Sequence, residues 1–577
     1  LRVMDSYYEE EETQMEESSD NPPLCGLDIA DQRGESEANA SSSNDSSTQR
    51  RPVLDRGHTK WALEAKAERP IPGKGTGDVF LFDYSMYEEE RPGCMSRPPP
   101  PFPRSLLDPT WGYDDNKYVR MPFAVSDYKH PKNGRPRHEL VREAILSFSK
   151  GIRDLEHLQA GIGTYNSKVK VNCLRTFISS SPEGMRKKMM KDLLIILTDV
   201  AKIALQFDEL FMQSVPVLSI KSDVTSVSMS QQQAACILSH AFFCTFPPQP
   251  VLASFSFCRR HINMDAIHCA TDKVMVEKMK FILYYFSQIT HEMPAGTLSI
   301  RKSVVKLYDD TDEDFSAYDD LISSCGLTTS TAGCIEDADG FLQVDFANEF
   351  IGGGVLGRGA VQEEIRFLIS PELIVSLIIC ERMADNMAYV ITGAQRFSNY
   401  NGYASSLQFV AKNSEDVATE EVRDHIGRAN VHVVAIDAKH YKREYASEQY
   451  RRKDVNREII KAYAGFRRRK CDPARPIATG NWGCGVFNGD AELKSLIQLM
   501  AAAIHGRDLV YFTFNDHDLA VNLQSIYNVF CEVHLTVGQL YTWLVSFNCS
   551  GHLSLFQFVA MRTFQLQQAQ RQQLGTR

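Results

Sequence analysis

The rhythm of apolar positions changes twice along the chain. From Leu1 to about Thr59 the sequence carries Ser, Asn, Glu and Asp with few aliphatics. Such a stretch cannot bury enough apolar surface to offset ordering entropy, so a disordered tail is expected. From Gly73 to Pro103 aromatics alternate with Pro and Gly, including Pro98-Pro99-Pro100-Pro101, as in an extended arm laid over a domain. After Pro136 the spacing becomes helical. His138 to Leu158 places Leu140, Ala144, Ile145, Phe148, Ile152 and Leu155 near one face, and further helices are predicted over Met185 to Phe211, Ser230 to Phe243 and Met264 to Ile289.

From about Phe341 the pattern is strand, Gly-rich turn and helix in alternation. Strands are predicted at Leu342 to Phe346, Ala388 to Thr392, Val431 to Ile436, Ile477 to Thr479 and Leu509 to Phe514. Helices are predicted between them at Val361 to Phe367, Glu372 to Ile379, Arg451 to Phe466 and Ala491 to Ile504. This alternation predicts a three-layer α/β/α sandwich with a mixed or mostly parallel sheet, whose ligands bind at the carboxyl ends of the strands. Beyond Gln565 the Gln-rich end predicts a solvated, frayed helix. The chain therefore divides into an acidic tail (1–60), a wrapping segment (61–137), a helical subdomain (138–300), an α/β domain (301–560) and a Gln-rich tail (561–577).

Charge changes this picture at one end only. The 577 residues carry 63 Lys+Arg and 73 Asp+Glu, and the first 50 hold 13 acidic against 3 basic side chains. The remaining 60 of each sign cancel, so a polyanionic ligand is compatible with the folded part. No apolar run reaches the roughly 20 residues of a bilayer-spanning helix, so no membrane protein is expected. The chain opens on Leu1 rather than Met, as a fragment does, and shows no secretory signal. Fourteen cysteines without a CxxC pair predict reduced core residues of a nuclear or cytoplasmic protein. His261, His268 and Cys269 do not supply the four ligands of a structural zinc, and the Arg467-Arg468-Arg469-Lys470 cluster reads as a solvated turn.

The candidate chemistry lies in two Gly-rich segments. In the first, Val344-Asp345-Phe346-Ala347-Asn348 leads to Gly352-Gly353-Gly354 and then to Gln362-Glu363-Glu364. Consecutive glycines between a strand and a helix let the backbone approach a ligand and turn N–H groups toward phosphate oxygens, so a diphosphate cradle is predicted. A tight chain reversal is the plainer alternative. A carboxylate pair at a helix start often only complements the dipole. Beside a phosphate site it would repel the ligand, which points to a chemical role: a carboxyl with a raised pKa acting as general acid. Adjacent helical residues point about 100° apart, so one glutamate should grip a sugar and the other transfer the proton. The second segment, Asn481-Trp482-Gly483-Cys484-Gly485-Val486-Phe487, is a further candidate diphosphate loop. Phe487 and Phe514 are candidates for base stacking, and Tyr403 for a clasp on a polar loop.

At these residues the sequence resembles the poly(ADP-ribose) glycohydrolase family, whose signature is a triglycine followed by Gln-Glu-Glu. Val344 to Asn348, Asn481 to Gly485 and Gln232-Gln233-Ala234-Ala235-Cys236 running into Ala241 to Phe246 also look like family motifs, and the resemblance covers roughly Leu106 to Phe556. It implies a macrodomain-like catalytic core with an N-terminal helical extension. It also implies hydrolysis of ribose–ribose O-glycosidic bonds without metal or other cofactor. By resemblance Glu364 protonates the leaving ribose oxygen and then activates water, Glu363 holds ribose hydroxyls, and Asp345 supports the same site. Asn348 and Gln362 bind ribose, while Gly353 and Asn481 to Phe487 hold the diphosphate. Tyr403 clasps the nucleotide, Phe514 stacks on adenine, and Ile335 and Glu336 meet the adenine edge. The expected partner is poly(ADP-ribose) on modified proteins, with no direct nucleic-acid binding and a monomeric state. The alternative is a macrodomain reader that binds ADP-ribose without cleaving it.

Overall fold

The computed structural model describes residues 77–82, 117–123, 134–247, 261–306, 314–412, 423–468, 472–549 and 551–575. The acidic tail and most of the wrapping segment lie outside the described residues, as do Arg469 and Lys470. The strands are β1 (Asp78–Phe80), β2 (Ser226–Ser230), β3 (Thr297–Val304), β4 (Leu327–Ser330), β5 (Leu342–Ala347), β6 (Met387–Thr392), β7 (Ser398–Asn401), β8 (Gln408–Ala411), β9 (His432–Asp437), β10 (Ile477–Gly480) and β11 (Leu509–Phe512). Nine of them form one sheet in the order β1-β2-β3-β6-β9-β5-β10-β11-β4, and β7 and β8 form a separate hairpin. From β9 to β4 every pairing is parallel, whereas β6 and β3 run antiparallel.

Strand periodicity explains the layers. In β6, Met387, Tyr389 and Ile391 join the core shared with the N-terminal helices, while Ala388 and Val390 join the core of the opposite face. In β9, Val433 and Ala435 divide from Val434 and Ile436 in the same way. Both faces of the sheet are thus covered, which is the expected macrodomain-like α/β/α arrangement preceded by helices. One layer carries Arg452–Phe466, Ala491–Ile504 and Val537–Ser546; the other carries Gln362–Ile369 and the helical region.

The helical region departs from the sequence reading at its breaks. Helices Arg137–Ser149 and Leu155–Gly163 replace one long helix: Gly151 has φ +135°, and Asp154 caps the second helix by accepting the His157 amide hydrogen. Asp272 likewise starts Lys273–His291 afresh after the short Asp265–Cys269. The predicted boundary at 300/301 falls inside β3, and β2 lies within the helical sequence yet belongs to the main sheet. Ser226–Ser230 alternates serines with the buried Val227 and Met229 over five residues only, too short a run to stand out before the helix that follows it, and its hydroxyls find partners in the sheet. Ser228 and Ser299 share a 2.7 Å hydrogen bond, and Ser226 donates to Asp78 at 2.5 Å. At the other end the Leu555–Gly575 helix is docked rather than frayed: Thr563 is buried, and Gln570 donates to the Val533 carbonyl at 3.0 Å. No helix among the described residues is long and apolar enough to cross a membrane.

Candidate active site

The site is assembled at the carboxyl ends of β5, β10 and β11, the central parallel strands, where the chain turns into loops. Alternation along β5 puts Gln343, Asp345 and Ala347 on the face that receives the Gln362–Ile369 helix. Arg366 of that helix donates to Gln343 at 2.9 Å. Gln362, at the helix start, braces β5 where β10 diverges from it. Its carboxamide accepts from the Phe346 amide at 2.8 Å and donates to the Val344 carbonyl at 3.1 Å, supplying bonds a neighbouring strand would otherwise supply.

The two glutamates that follow are buried and reach back under the 352–359 loop. Glu363 accepts from the amides of Asn348 (2.9 Å) and Gly352 (2.5 Å), and Glu364 accepts from those of Gly354 (2.7 Å) and Val361 (2.9 Å). The Val361 contact closes the helix N-terminus, since Glu364 stands at its third position. Although the residues are adjacent, both carboxylates converge on Gly353. A Cβ at Gly353 would lie 2.2 Å from Glu364 Oε1 and 2.6 Å from Glu363 Oε2, and the residue has φ +49°. At Gly359 a Cβ would lie 2.8 Å from Glu364 Oε1. The sequence reading is corrected on two points. The 100° offset does not separate the glutamates, because their long side chains bend to the same spot. Nor are the triglycine amides turned to phosphate: those of Gly352 and Gly354 hold the glutamates, and that of Gly353 donates to the Phe350 carbonyl at 3.3 Å. The glycines make room for the carboxylates.

Electrostatics single out the pair beneath. Asp345 is fully buried and neither of its oxygens has a hydrogen-bond partner. Burial first, and then the Glu364 charge, push its carboxyl well above the usual range, with Arg366 opposing. Burial and the charges of Asp345 and Glu364 raise Glu363 likewise, against the two amide bonds that it accepts. Asp345 and Glu363, both raised, titrate as a coupled pair, and such a pair can keep a proton near neutral pH.

The 481–489 loop behaves differently. Its amides at Trp482, Cys484, Asn488 and Gly489 close its own turns, whereas those of Gly485, Val486 and Phe487 donate to nothing among the described residues. Three successive amide hydrogens without protein acceptors are free to meet an external acceptor such as an anion. Gly485 meets nothing within 4 Å of a built Cβ, so the fold itself does not demand a glycine there. Lys494, stacked 4.2 Å from the Trp482 ring and paired with Glu458, supports the loop from below. Trp482 itself is corrected from ligand contact to core: its side chain is fully buried and its indole N–H donates to the Ile436 carbonyl at 2.9 Å.

The remaining predicted residues surround this centre. Tyr403 accepts the Gln362 amide hydrogen at 3.2 Å through its hydroxyl, and burial and the Glu364 charge push its phenol upward. Phe514 is half-buried after β11 with φ +54°, and Asn515 follows at +64°; such strained pairs persist where the surroundings impose them, as at ligand sites. Phe487 is half-buried with its ring edge-on to His440 at 5.4 Å. Ile335 is buried, so its side chain is core; Glu336 accepts a 2.6 Å bond from Tyr400 of the hairpin. Asn348 caps the turn after β5 by accepting from the Phe350 amide at 3.0 Å. The sequence reading missed Lys278, which lies behind the 352–359 loop, and Tyr400. His268 Nε2–H donates to the Phe242 carbonyl (2.8 Å), a core contact. No cluster of three or more metal-binding side chains occurs among the described residues.

With the geometry in place, similarity to known proteins can be read against it. Residues 187–302 match the family description "Poly (ADP-ribose) glycohydrolase (PARG), helical domain", and residues 315–521 match "Poly (ADP-ribose) glycohydrolase (PARG), Macro domain fold". The chain is 36% identical over 351 residues to poly(ADP-ribose) glycohydrolase 1 of Caenorhabditis elegans, covering 60% of this chain and 43% of that protein. It is 32% identical over 379 residues to probable poly(ADP-ribose) glycohydrolase 2 of Arabidopsis thaliana, covering 56% of this chain and 69% of that protein. It is 31% identical over 395 residues to poly(ADP-ribose) glycohydrolase 1 of the same plant, again 56% and 69%. Two matched domains in the order the fold requires, and identity above 30% across more than two thirds of two relatives, carry the conclusion: the chain belongs to the poly(ADP-ribose) glycohydrolase family.

Proposed function

We propose that this chain hydrolyses the ribose–ribose O-glycosidic bonds of poly(ADP-ribose) and releases ADP-ribose. The observation that carries the reading is Glu364, buried beside Gly353 at the carboxyl end of β5 and clamped by two backbone amides. Each of its oxygens accepts one amide hydrogen, which leaves a lone pair on each for chemistry. Glu364 donates a proton to the leaving ribose oxygen, beside the raised carboxyls of Asp345 and Glu363. The bond to the anomeric carbon breaks through an oxocarbenium-like state, and the Glu364 carboxylate then takes a proton from the water that attacks that carbon.

The uncommitted amides of Gly485, Val486 and Phe487 hold the diphosphate. Phe514 receives the adenine and Tyr403 closes over the nucleotide, with Glu336 at the adenine edge and Asn348 near the ribose. No metal enters this scheme. The chain acts as a monomer on polymer attached to modified proteins, and the ten free cysteines among the described residues suit the nucleus or cytoplasm.

The test is Glu364→Gln. The amide is of similar size but supplies no proton, and its NH2 gives up one of the two backbone amide bonds, so release of ADP-ribose from labelled polymer should fall by about 10³ or more while ADP-ribose still binds in calorimetry. Wild-type protein that binds ADP-ribose and releases none from polymer would make the chain a reader instead.

A further inference from the structure

The 352–359 loop has two edges, and only one faces the glutamates. Behind the other lies Lys278, carried by the Lys273–His291 helix of the helical region and fully buried. Its ammonium donates to the carbonyls of Gly354 (3.0 Å), Val355 (3.2 Å) and Gly357 (2.6 Å) and also to that of Gly359. Four carbonyl oxygens thus converge on one cation with three protons. No carboxylate forms an ion pair with it among the described residues.

We propose that Lys278 is a positioning residue for glycosidic cleavage, holding the 352–359 loop in the one arrangement in which its amides clamp Glu364. The inference rests on the hydrolase reading given above. Gly354 is held at both ends: its carbonyl accepts from Lys278, and its N–H, which belongs to the preceding peptide, donates to Glu364 Oε1, so fixing the carbonyl on the lysine fixes the residue that clamps the glutamate. Remove the charge and four partial negative charges face one another in a dry site, where repulsion is screened little. The loop must then turn some carbonyls outward, and the glutamate loses its clamp.

The same helix also anchors the β7–β8 hairpin. Glu277, next to Lys278, accepts from the Phe409 amide of β8 at 2.8 Å, and the β7–β8 hairpin frames Tyr403. A family-specific helical region in front of a macrodomain fold thereby acquires a chemical purpose. It supplies the cation that shapes the catalytic loop.

The groups facing Lys278 are Glu364 across the loop and Asp272 at the start of its own helix. Asp272 is 3.9 Å from Arg358, while Glu277 is engaged with Phe409 and Lys280. Burial lowers the ammonium to about 8, with Glu364 and Asp272 opposing. As pH rises through that value the amine loses a proton and turns a lone pair toward a carbonyl, so activity falls. Stability moves the other way. A lysine whose folded pKa lies below its unfolded value penalises the fold while charged, and this penalty is relieved between about 8 and the unfolded value near 10.5.

The experiment compares wild type, Lys278→Met and Lys278→Arg in the full chain, with free poly(ADP-ribose) as substrate, ADP-ribose for calorimetry and thermal unfolding as the fold control. Wild type should show an alkaline fall in kcat near pH 8 while its unfolding temperature holds. K278R, which stays charged, should move that fall more than a pH unit upward. K278M should lose about 10²-fold in kcat with ADP-ribose affinity changed by less than about threefold, because a displaced glutamate slows chemistry more than binding. K278M at near wild-type kcat, or an alkaline fall unmoved in K278R, overturns the proposal. If neither variant folds, wild type decides: kcat that stays level to about pH 9.5 in folded protein overturns it. Wild type that binds ADP-ribose yet never cleaves polymer removes the hydrolase reading and this inference together; active wild type with an indifferent K278M removes this inference alone.

Discussion

The two Gly-rich loops look alike in sequence and stand side by side at the ends of β5 and β10, yet they use their backbones in opposite ways. In the 352–359 loop the triglycine amides point inward, two onto the glutamates and one onto the Phe350 carbonyl, and the carbonyls of Gly354, Val355, Gly357 and Gly359 converge on Lys278. In the 481–489 loop the amides of Gly485, Val486 and Phe487 stay uncommitted. One loop is a socket that fixes an acid, and the other leaves three successive amides without a protein acceptor among the described residues. Glycine is required in the first because carboxylate oxygens come within 2.2 and 2.6 Å of where a Cβ would stand at Gly353. At Gly485 no protein atom comes within 4 Å, so the packing places no steric demand for glycine there.

Substitution by alanine should separate the two most sharply at Gly353. The new methyl would displace both glutamates and force a non-glycine residue into φ +49°. Misplacement by about 1 Å is enough to lose about 10²-fold in kcat. A Gly353→Ala protein that turns over polymer at the wild-type rate would show that the socket is not needed. Gly485→Ala should do the reverse. Its unfolding should be unchanged within about 0.5 kcal/mol, because the methyl enters open space. ADP-ribose should bind about tenfold more weakly, equivalent to about 1.4 kcal/mol, with kcat at saturation preserved. Unaltered binding in calorimetry would move the diphosphate away from these amides.

How far the sequence reveals this contrast depends on how local each feature is. Strand, glycine run and Gln-Glu-Glu are contiguous, and so the β5 to Gln362–Ile369 unit, with its acid pair, is legible, as are the second loop and the alternation that predicts the sandwich. The direction of the amides is not. It depends on Lys278, about 75 residues upstream, which occupies a buried stripe with Met275, Met279 and Ile282 and carries no motif. A lysine falling on an otherwise apolar helical stripe is the one signal that could have found it. Gln362 and Trp482 misled for a related reason. Both lie inside the motifs, but one braces a strand and the other fills the core, and spacing does not distinguish a residue that holds the site from one that touches the ligand. Strand β2 escaped because its alternation, Val227 and Met229 between serines, spans only five residues and runs straight into a helix, while its serines are buried through hydroxyl pairing.

The smallest predicted effect concerns what the socket costs the fold, and it has a sign. Asp345 lies beneath the glutamates with neither oxygen hydrogen-bonded, and burial and the Glu364 charge raise its carboxyl well above the ordinary range. A carboxyl whose folded pKa is raised contributes stability that is fully present below its unfolded pKa of about 4 and is lost as pH climbs through the folded value. Asp345→Asn resembles the protonated acid and carries no such loss; it also removes one charge that raises Glu363. The unfolding temperature of D345N minus that of wild type should therefore be near zero at about pH 4 and grow with pH to a few degrees at neutrality, where about 1 kcal/mol shifts a domain of this size by roughly 2–4 °C. The 481–489 loop has no buried carboxyl left without partners, so Gly485→Ala, measured in parallel, should give a difference that is flat with pH. A flat profile for D345N as well would mean that Asp345 keeps its charge across the whole range and holds no proton beside Glu364 at neutral pH.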